Sequence, residues 1–201
     1  MHQIIGGRLA DPIFAERYAP AMFRLRYRIF HERLGWAVKT HGDQEVDEFD
    51  DAHSHYLLLA DCDELIGGWR LRPTTRPYLL ERAFPQLLGD LPAPRHDAVW
   101  EISRFAIDTS GATATRFGLN AAARQLLSAT AQFALDHGVQ RYVMVASAGA
   151  ERLYRNAGLV VHRFAPPQQV GVARSVACWV DIDDHTCRAL LGHGLPLAAA
   201  A

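Results

Sequence analysis

The chain has 201 residues, of which 49% are apolar and 21% charged, and its formal net charge is −1. This composition is typical of a globular domain and gives no electrostatic basis for binding nucleic acid. Its cysteines, Cys62, Cys178 and Cys187, lack metal-ligand or disulfide spacing, which suits a reducing compartment. No secretion signal or membrane-length apolar run is present. We therefore expect one cytoplasmic domain over residues 1–201, with a disordered tail at about 195–201.

The spacing of apolar residues switches between the helix period and the strand period along the chain. In chain order, the pattern predicts a helix at 13–34, a loop at 36–51, strands at 56–60 and 65–71, a short helix near 79–88, a strand at 99–108, a loop at 109–115, a helix at 117–137, a strand at 141–147, a helix at 149–156, a strand at 170–182 and a helix at 184–191. Neither a repeat nor a linker divides this order. It predicts an α/β fold with one mixed sheet and helices on both faces.

Individual prolines and glycines refine this prediction. Pro20 is expected to start the main first helix or to kink it, and Gly35 to end it. The pair Gly67-Gly68 inside a strand indicates a bulge or a close backbone approach. The acid-rich segment 36–51 is predicted to be a long loop, a class of segment that is often functional or mobile.

The strand at 99–108 mixes charged and apolar side chains. Strict alternation places its residues on two faces: Trp100, Ile102, Arg104 and Ala106 on one, and Glu101, Ser103, Phe105 and Ile107 on the other. Two interpretations stay open here, a solvated edge strand or a strand whose polar groups line a pocket. Glu101 and Arg104 can serve one pocket only if the strand bulges or lies at a splayed position of the sheet.

Common metal and nucleophile motifs do not explain the polar residues. His53 and His55 lie near several aspartates, but zinc needs three or four ligands, so polar residues at the start of a strand are the favoured interpretation. Cys62 lies in an acidic turn, a poor setting for a nucleophilic thiolate. The sequence contains no Gly-x-Ser-x-Gly, Gly-x-Gly-x-x-Gly or Walker-type motif. We therefore predict no metal site.

Arginines and aromatic residues are concentrated in three segments, with acids between them. The set is Arg26, Phe30, Trp36, Arg70, Trp100, Arg104 and Phe105, with Asp47, Asp50 and Glu101. A sulfonium or ammonium group packs well on an aromatic ring, and arginine binds a carboxylate. From residue types alone, a site for a ligand that is both cationic and carboxylated and a structural ion-pair network are equally open.

Arg152 and Arg155 lie on one face of the predicted helix at 149–156. Such a pair is usually part of a solvated surface, and it can also dock an acidic partner. The residues alone favour the solvated surface.

Five motifs, taken together, resemble those of the N-acyl-homoserine lactone synthases, the LuxI-type autoinducer synthases of bacterial quorum sensing. They are Arg26-x-x-x-Phe30 followed by Gly35-Trp36; Glu45-Val46-Asp47-x-x-Asp50; Gly68-Trp69-Arg70-Leu71; Thr74-Thr75-x-Pro77-Tyr78-Leu79-Leu80 with Phe84; and Trp100-Glu101-x-Ser103-Arg104-Phe105. The resemblance extends from the first predicted helix to the last strand. It implies a three-layer α/β/α fold like that of the GCN5-type acetyltransferases, with a mixed, mostly antiparallel sheet.

The resemblance also implies a reaction and its site. The enzyme would join S-adenosylmethionine, a co-substrate, to an acyl group from acyl carrier protein or coenzyme A, and would need no separate cofactor. The implied catalytic residues are Glu101, Arg104, Asp47, Asp50 and Arg70. The implied substrate-binding residues are Arg26, Phe30, Trp36, Ser103, Phe105, Met144, Ala146 and Ser147.

Within that set the resemblance implies separate roles. Arg26, Phe30, Trp36 and Arg104 would form the S-adenosylmethionine pocket. Asp47, Asp50 and Glu101 would pair with arginines, position the substrate amine and shape the loop over it. Met144, Ala146 and Ser147 would line an acyl tunnel, and Arg152 and Arg155 would dock the acidic carrier, so the resemblance reverses our earlier preference for a solvated surface.

One position departs from the family pattern. Ala146 stands where members that make 3-oxo-acyl products often have a threonine, so the hydroxyl donor for the extra carbonyl is missing and a 3-oxo chain is disfavoured. We further expect Glu101 to act as general base, at a raised pKa, on the amine of S-adenosylmethionine.

Two other functions are considered. One is an acetyl-coenzyme A-dependent N-acetyltransferase of the same fold, which would need a pyrophosphate-binding loop that residues 113–121 do not match. The other is a sensor that binds the ligand without catalysis.

Overall fold

The structure is a computed structural model that describes residues 2–62, 64–108 and 121–192. The described strands are β1 (His2–Arg8), β2 (Thr40–His41), β3 (Gln44–Glu45), β4 (His55–Asp61), β5 (Glu64–Pro73), β6 (Val99–Ile107), β7 (Arg141–Ser147), β8 (His162–Arg163), β9 (Gln168–Val170) and β10 (Ala173–Asp181). The α-helices are α1 (Pro12–Arg17), α2 (Ala19–Arg26), α3 (Leu79–Ala83), α4 (Ala121–His137), α5 (Ala148–Asn156) and α6 (Asp184–Leu191). A π-helix at Tyr27–Arg33 continues α2. A 3-10 helix at Pro85–Leu88 follows α3.

One mixed sheet organises the described residues. Its strand order is β1-β4-β5-β6-β7-β10-β8, with β9 also pairing with β10. Every pairing in this sheet is antiparallel except that of β6 with β7, which is parallel. The predicted mixed, mostly antiparallel sheet is therefore confirmed.

Helices cover both faces of the sheet. Leu126 and Leu127 of α4 pack with Leu57 and Leu71 on one face. On the other face, Phe14 of α1 and residues of α2 pack against the remaining side chains of β4. The three-layer α/β/α arrangement is confirmed. In the part of the chain that the structure describes, no helix is both long and apolar enough for a membrane crossing.

The predicted helix at 13–34 is three segments rather than one. Asp11 caps α1 by accepting a hydrogen bond from the Ile13 amide at 3.0 Å, and Pro20 lies in the first turn of α2, as predicted. The last segment is π-helical, a geometry that often occurs at functional sites. Gly35, with φ of 63°, follows it and ends the helix as expected.

Other predicted elements need smaller corrections. Strand β1 was not predicted, because its short, glycine-containing sequence becomes a strand only by pairing with β4 at the sheet edge. The predicted loop at 36–51 contains the small hairpin of β2 and β3. The predicted loop at 109–115, the first residues of the helix at 117–137 and the tail at 195–201 lie outside the described residues.

The decisive local feature of the sheet is a bulge in β6. Gly68 pairs with Ala106 and Arg70 with Ser103, so one residue of β5 faces two residues of β6. Arg104, the first of those two, has φ of 58°, a left-handed conformation that is uncommon for a residue with a side chain.

The bulge corrects the predicted faces of β6. Phe105 and Ile107 lie in the same core cluster as Ile102, whereas Ala106 packs with the first helices on the opposite face. The simple alternation is therefore wrong after Ser103, because one extra residue reverses the phase of the strand.

Strand β6 also separates from β7. The parallel pairing runs from Val99 with Arg141 to Ile102 with Met144, and among the described residues no later pair follows. The sheet is therefore split beside the bulge. The sequence required either a bulge or a splayed position for Glu101 and Arg104 to serve one pocket, and strand β6 has both.

Gly68 marks a close approach of two backbones, as the sequence predicted. A Cβ atom at this position would lie 2.7 Å from Cδ2 of Leu58 and 3.0 Å from the carbonyl oxygen of Leu57. The backbones of β4 and β5 therefore approach as they do only because residue 68 has no side chain.

We expect Gly68→Ala to lower the free energy of unfolding by about 1–3 kcal/mol, because the added methyl group overpacks the β4–β5 contact. Urea unfolding measures the change. Gly149→Ala is the matched control, since its Cβ would meet only Oγ of Ser147 at 3.8 Å. Equal stability of the two variants would contradict this account.

Candidate active site

Three buried arginines and three acids form a closed ring of ion pairs. Arg26 comes from α2, Arg70 from β5 and Arg104 from the bulge of β6. Of the acids, Glu45 is the last residue of β3, and Asp47 and Asp50 lie in the segment that follows it. The six side chains are at most 13% exposed.

Each acid of this ring joins two arginines. The contacts are Arg26 to Glu45 at 2.5 Å, Glu45 to Arg104 at 3.0 Å, Arg104 to Asp47 at 2.6 Å, Asp47 to Arg70 at 2.5 Å, Arg70 to Asp50 at 3.0 Å and Asp50 to Arg26 at 2.8 Å. Three positive and three negative charges cancel. Because burial of a charge is costly unless it is paired, each member depends on its two neighbours.

The proton equilibria of the ring reflect this pairing. Burial acts to raise the pKa of Asp50, but Arg26 and Arg70 outweigh burial and hold that pKa well below its usual range. Burial acts to lower the pKa of Arg26 and of Arg70, and the neighbouring acids outweigh it, so both pKa values are raised. All three groups are therefore charged at neutral pH.

The acidic loop is fixed by hydrogen bonds of its own. The amide of Phe49 donates to Oδ1 of Asp47 at 2.9 Å, and the amide of Asp47 donates to Oδ2 of Asp50 at 2.9 Å. Tyr56 of β4 donates its hydroxyl proton to Oδ1 of Asp50 at 2.9 Å. The expected long loop is thus present, and its acids have defined positions.

A further ion pair, between buried Arg72 and half-buried Asp51, lies beside the network and was not predicted from the sequence. Arg72 contacts Asp51 at 2.6 Å and donates to the carbonyl oxygen of Phe49 at 3.1 Å. The ring of Phe49 lies between Arg70 and Arg72, at 5.5 and 5.7 Å from the two guanidinium carbons. Glu45 and Arg72 were both missed as site residues, although Glu45 lies in one of the quoted motifs.

Aromatic rings lie beside the ring of ion pairs. Phe30 and Trp36 are stacked, with centroids 5.3 Å apart and planes 2° from parallel. The guanidinium of Arg104 lies 6.0 Å from the centroid of Phe30. Arg26, Arg70 and Arg104 also border a small cavity between α2 and the sheet, the charged cavity. Of the predicted aromatic residues, Phe30 and Trp36 therefore lie beside the arginines, whereas Trp100 packs against His55 and Phe133.

Glu101 is placed differently from the expectation. Its carboxylate is fully buried and accepts hydrogen bonds from the backbone amides of Leu79 at 3.0 Å and Leu80 at 2.6 Å, at the start of α3. The expected pairing with arginines is corrected, since Arg70 and Arg104 act on Glu101 only through their electric field. Burial raises the pKa of Glu101, and the two amides and two arginines oppose that shift.

Ser103 and Phe105 lie on opposite faces because of the bulge. Ser103 accepts a hydrogen bond from Nε of Arg70 at 3.1 Å and so belongs to the charged side. Phe105 packs on the other side, with its ring 5.2 Å from that of Trp69 and 6.4 Å from that of Tyr154.

An apolar cavity lies on the face of the sheet that carries Phe105. Its wall includes Trp69 of β5, Ile102 of β6, Met144 of β7 and Leu127 of α4. Of the three residues predicted to line an acyl tunnel, Met144 is in this wall. Ala146 is buried in the core, and Ser147 instead caps α5, accepting a hydrogen bond from the amide of Ala150 at 3.2 Å.

The basic face of α5 is partly neutralised within the protein. Glu151 contacts Arg155 at 2.9 Å and Arg163 of β8 at 2.8 Å. Arg152 is exposed on the same helix. The predicted pair Arg152 and Arg155 is therefore present on the surface, with one of its charges already paired.

The two histidines considered as metal ligands have another environment. His55 lies among the rings of Trp100, Phe133 and His137, with centroids 5.3 to 5.6 Å away. Burial, followed by the charges of Arg8 and His137, lowers the pKa of His55 to about 4. Within residues 2–62, 64–108 and 121–192, no group of three or more His, Cys, Asp or Glu side chains is placed to hold a metal ion.

The chain is similar to known proteins over nearly its whole length. A family model described as autoinducer synthase matches residues 14–190. The acyl-homoserine-lactone synthase of Ralstonia nicotianae is 38% identical over 197 residues, which cover 96% of this chain and 93% of that protein. The crystal structure of the acyl-homoserine-lactone synthase LasI superposes with a TM-score of 0.89 at 32% identity, covering 99% of each chain.

A second similar structure is described with two ligands. BjaI, a coenzyme A-dependent acyl-homoserine lactone synthase, is described with S-adenosylmethionine and isopentyl-coenzyme A. It superposes with a TM-score of 0.83 at 28% identity, covering 96% of this chain and 89% of that one.

The chain therefore belongs to the autoinducer synthase family, whose fold is like that of the GCN5-type acetyltransferases. It is an acyltransferase of the acyl-homoserine-lactone synthase type, and its product class is the quorum-sensing signal.

We expect Asp50→Asn to lower the free energy of unfolding at pH 7 by about 3–5 kcal/mol, because it leaves Arg26 and Arg70 with uncompensated buried charge. The folded-state pKa of Asp50 lies below its unfolded value, so its stabilisation is complete above about pH 4 and is lost as the pH falls further. The difference in free energy of unfolding between the variant and wild type should therefore become smaller below pH 4. Urea unfolding at pH 7, 4 and 3 measures it.

Asp90→Asn is the control for this measurement. Asp90 is exposed, so its replacement should change stability by no more than about 0.5 kcal/mol. A difference between Asp50→Asn and wild type that stays constant from pH 7 to pH 3 would show that Asp50 is not held charged by the ring.

Proposed function

We propose that the enzyme transfers an acyl group from a thioester donor to the α-amine of S-adenosylmethionine and then closes the lactone, releasing methylthioadenosine. The observation that carries this proposal is the bulge of β6, which places Arg104 on the same side of the sheet as Glu101, beside Arg26 and Arg70. S-adenosylmethionine has a carboxylate, an amine and a sulfonium. The arginines of this cluster suit the carboxylate, Glu101 suits the amine, and the stacked pair Phe30 and Trp36 suits the sulfonium. The structure of the similar protein BjaI with S-adenosylmethionine supports the assignment of this substrate.

The S-adenosylmethionine subsite in this proposal has two parts. Arg26 and Arg104 attract the carboxylate, while the stacked pair Phe30 and Trp36 offers aromatic faces to the sulfonium or the adenine ring. Asp47 and Asp50 hold Arg70 and the other arginines in place and so act by positioning. No separate cofactor enters this reaction.

Glu101 is the proposed general base for the first step. A buried carboxylate with a raised pKa is suited to accept a proton at a pH near neutrality. The amides of Leu79 and Leu80 each occupy one lone pair, and a carboxylate has about four acceptor positions, so Glu101 retains capacity for the amine, directly or through a water. Backbone N–H groups of β6 beside the split would stabilise the tetrahedral oxyanion.

The second step needs mainly orientation. The carboxylate of the acylated methionyl group attacks its own γ-carbon, the C–S bond breaks, and methylthioadenosine leaves with the electron pair. Because a sulfonium is a good leaving group, the site must chiefly fold the chain so that the carboxylate oxygen approaches that carbon.

The acyl donor in this proposal uses the other face of the sheet. The split between β6 and β7 gives the donor's pantetheine arm a path to the amine, and the apolar cavity receives the acyl chain. BjaI is described with an acyl-coenzyme A, which supports a thioester of this kind. The exposed Arg152 suits an acidic carrier protein, so both donors belong in the test.

The central test is to incubate the purified enzyme with S-adenosylmethionine and a panel of acyl-coenzyme A and acyl-carrier thioesters, and to identify the products by mass spectrometry. We expect an acyl-homoserine lactone and methylthioadenosine in equal amounts. An acetyltransferase would consume acetyl-coenzyme A without forming methylthioadenosine, and a sensor would bind ligand without forming product. Either result would reject the proposal.

We expect Glu101→Gln to lower kcat for acylation by about 10²–10⁴-fold, because the amide cannot accept the proton. The wild-type rate should rise with pH as Glu101 ionises, and this dependence should be absent from the variant. Calorimetric titration should show S-adenosylmethionine affinity within a few-fold of wild type. A variant with wild-type turnover would disprove the base assignment, and loss of folding, checked by circular dichroism, would instead indicate that Glu101 only anchors α3.

A further inference from the structure

Trp69 has a buried hydrogen-bond donor without a partner. Its side chain is 2% exposed, yet Nε1 has no hydrogen-bond acceptor among the described residues. A buried, unpaired N–H group is destabilising, and such groups in native proteins often have a functional reason. The family motif Gly68-Trp69-Arg70-Leu71 contains this residue, but none of the roles above uses its N–H group.

The position of Trp69 indicates what this donor can meet. Trp69 borders both the charged cavity and the apolar cavity, and it is the residue of β5 that faces the bulge. Four other residues with hydroxyl groups border the apolar cavity: Thr130, Tyr142, Tyr154 and Thr186. Thr130 donates to the carbonyl oxygen of Leu126 at 2.8 Å, and Tyr142 to that of Thr130 at 3.2 Å. Trp69 therefore offers an uncommitted donor to a ligand in this cavity.

The strand on which Trp69 lies determines which ligand atom is in reach. In the proposed function the thioester carbonyl lies at the split beside β6, and β5 is the next strand, about 4.8 Å away. A group on β5 therefore meets atoms farther along the acyl chain than the carbonyl. The first carbon there that commonly bears an oxygen in fatty-acyl thioesters is the third, because chain elongation leaves a keto or hydroxyl group on it.

We propose that Trp69 determines acyl specificity by donating a hydrogen bond from its indole N–H to an oxygen on the third carbon of the acyl chain. This inference rests on the proposed function. It favours 3-oxo- or 3-hydroxyacyl donors over unsubstituted chains, because an unsubstituted chain leaves the indole N–H unpaired. The sequence expectation against a 3-oxo chain depended on Ala146, which lies outside the wall of the apolar cavity described above, so a different strand supplies the donor.

The test compares 3-oxo-, 3-hydroxy- and unsubstituted acyl-coenzyme A of one chain length, with kcat/KM for product formation and Kd from calorimetry as the two readouts. Wild type should prefer the oxygenated donors. Trp69→Phe should lower kcat/KM for the oxygenated donors about tenfold more than for the unsubstituted donor, because only the oxygenated donors lose a hydrogen bond. Incorporation of β-(3-benzothienyl)alanine at position 69 should have the same effect, since it replaces N–H by sulfur and keeps the two fused rings.

The control is Trp179→Phe, which changes a tryptophan that packs on His162 and Phe164, away from the cavity, and should not alter the preference. A wild-type preference for unsubstituted chains, or an equal loss for all donors in the benzothienyl variant, would overturn the inference. A benzothienyl variant with changed thermal stability but an unchanged donor preference would also overturn the inference. That result would mean that the N–H group interacts with the ring of Phe105 rather than with the acyl chain. If no lactone forms but the Kd values show the preference, the proposed function fails and the inference stands.

Discussion

Buried positive charge is the constraint on which the rest of this structure depends. Three arginines from three different elements meet beneath the acidic loop, and none of them can be buried without a counter-charge. The loop supplies three carboxylates whose spacing in sequence, Glu45, Asp47 and Asp50, allows each to reach two guanidinium groups. An ion-pair network of this kind adds little net stability, but it gives the cluster one defined arrangement and holds the three arginines in fixed positions.

The bulge of β6 and the ring of ion pairs support each other. A left-handed backbone at Arg104 costs on the order of 1–3 kcal/mol, and such strain persists only where surrounding contacts determine it. Here the contacts of Arg104 with Glu45 and Asp47 fix the side chain that the bulge redirects. Without the extra residue, Arg104 would point to the apolar face, where no acid could neutralise it. One inserted residue thus decides which side of the sheet holds the chemistry.

The two faces of the sheet differ in chemistry. One face presents charges and stacked aromatic rings, and the other presents an apolar cavity, so the polar substrate and the acyl chain of the proposed reaction would approach the same strand from opposite sides. The split between β6 and β7 connects the two faces, and Trp69 borders both cavities.

The sequence by itself determined the order and type of most elements, because apolar periodicity and glycine or proline positions act locally. It also predicted five of the six residues of the ion-pair ring, through motifs that are specific only in combination. Only the tertiary structure decided that Glu45 and Arg72 join that set, that Glu101 binds the amides of α3, and that β1 is a strand. The tertiary structure also decided where β6 bulges. Which face each later residue of β6 occupies depends on the register of β6 with β5 and on the acids that Arg104 contacts. Pairing and burial arise between segments distant in sequence, so no local pattern could have specified them.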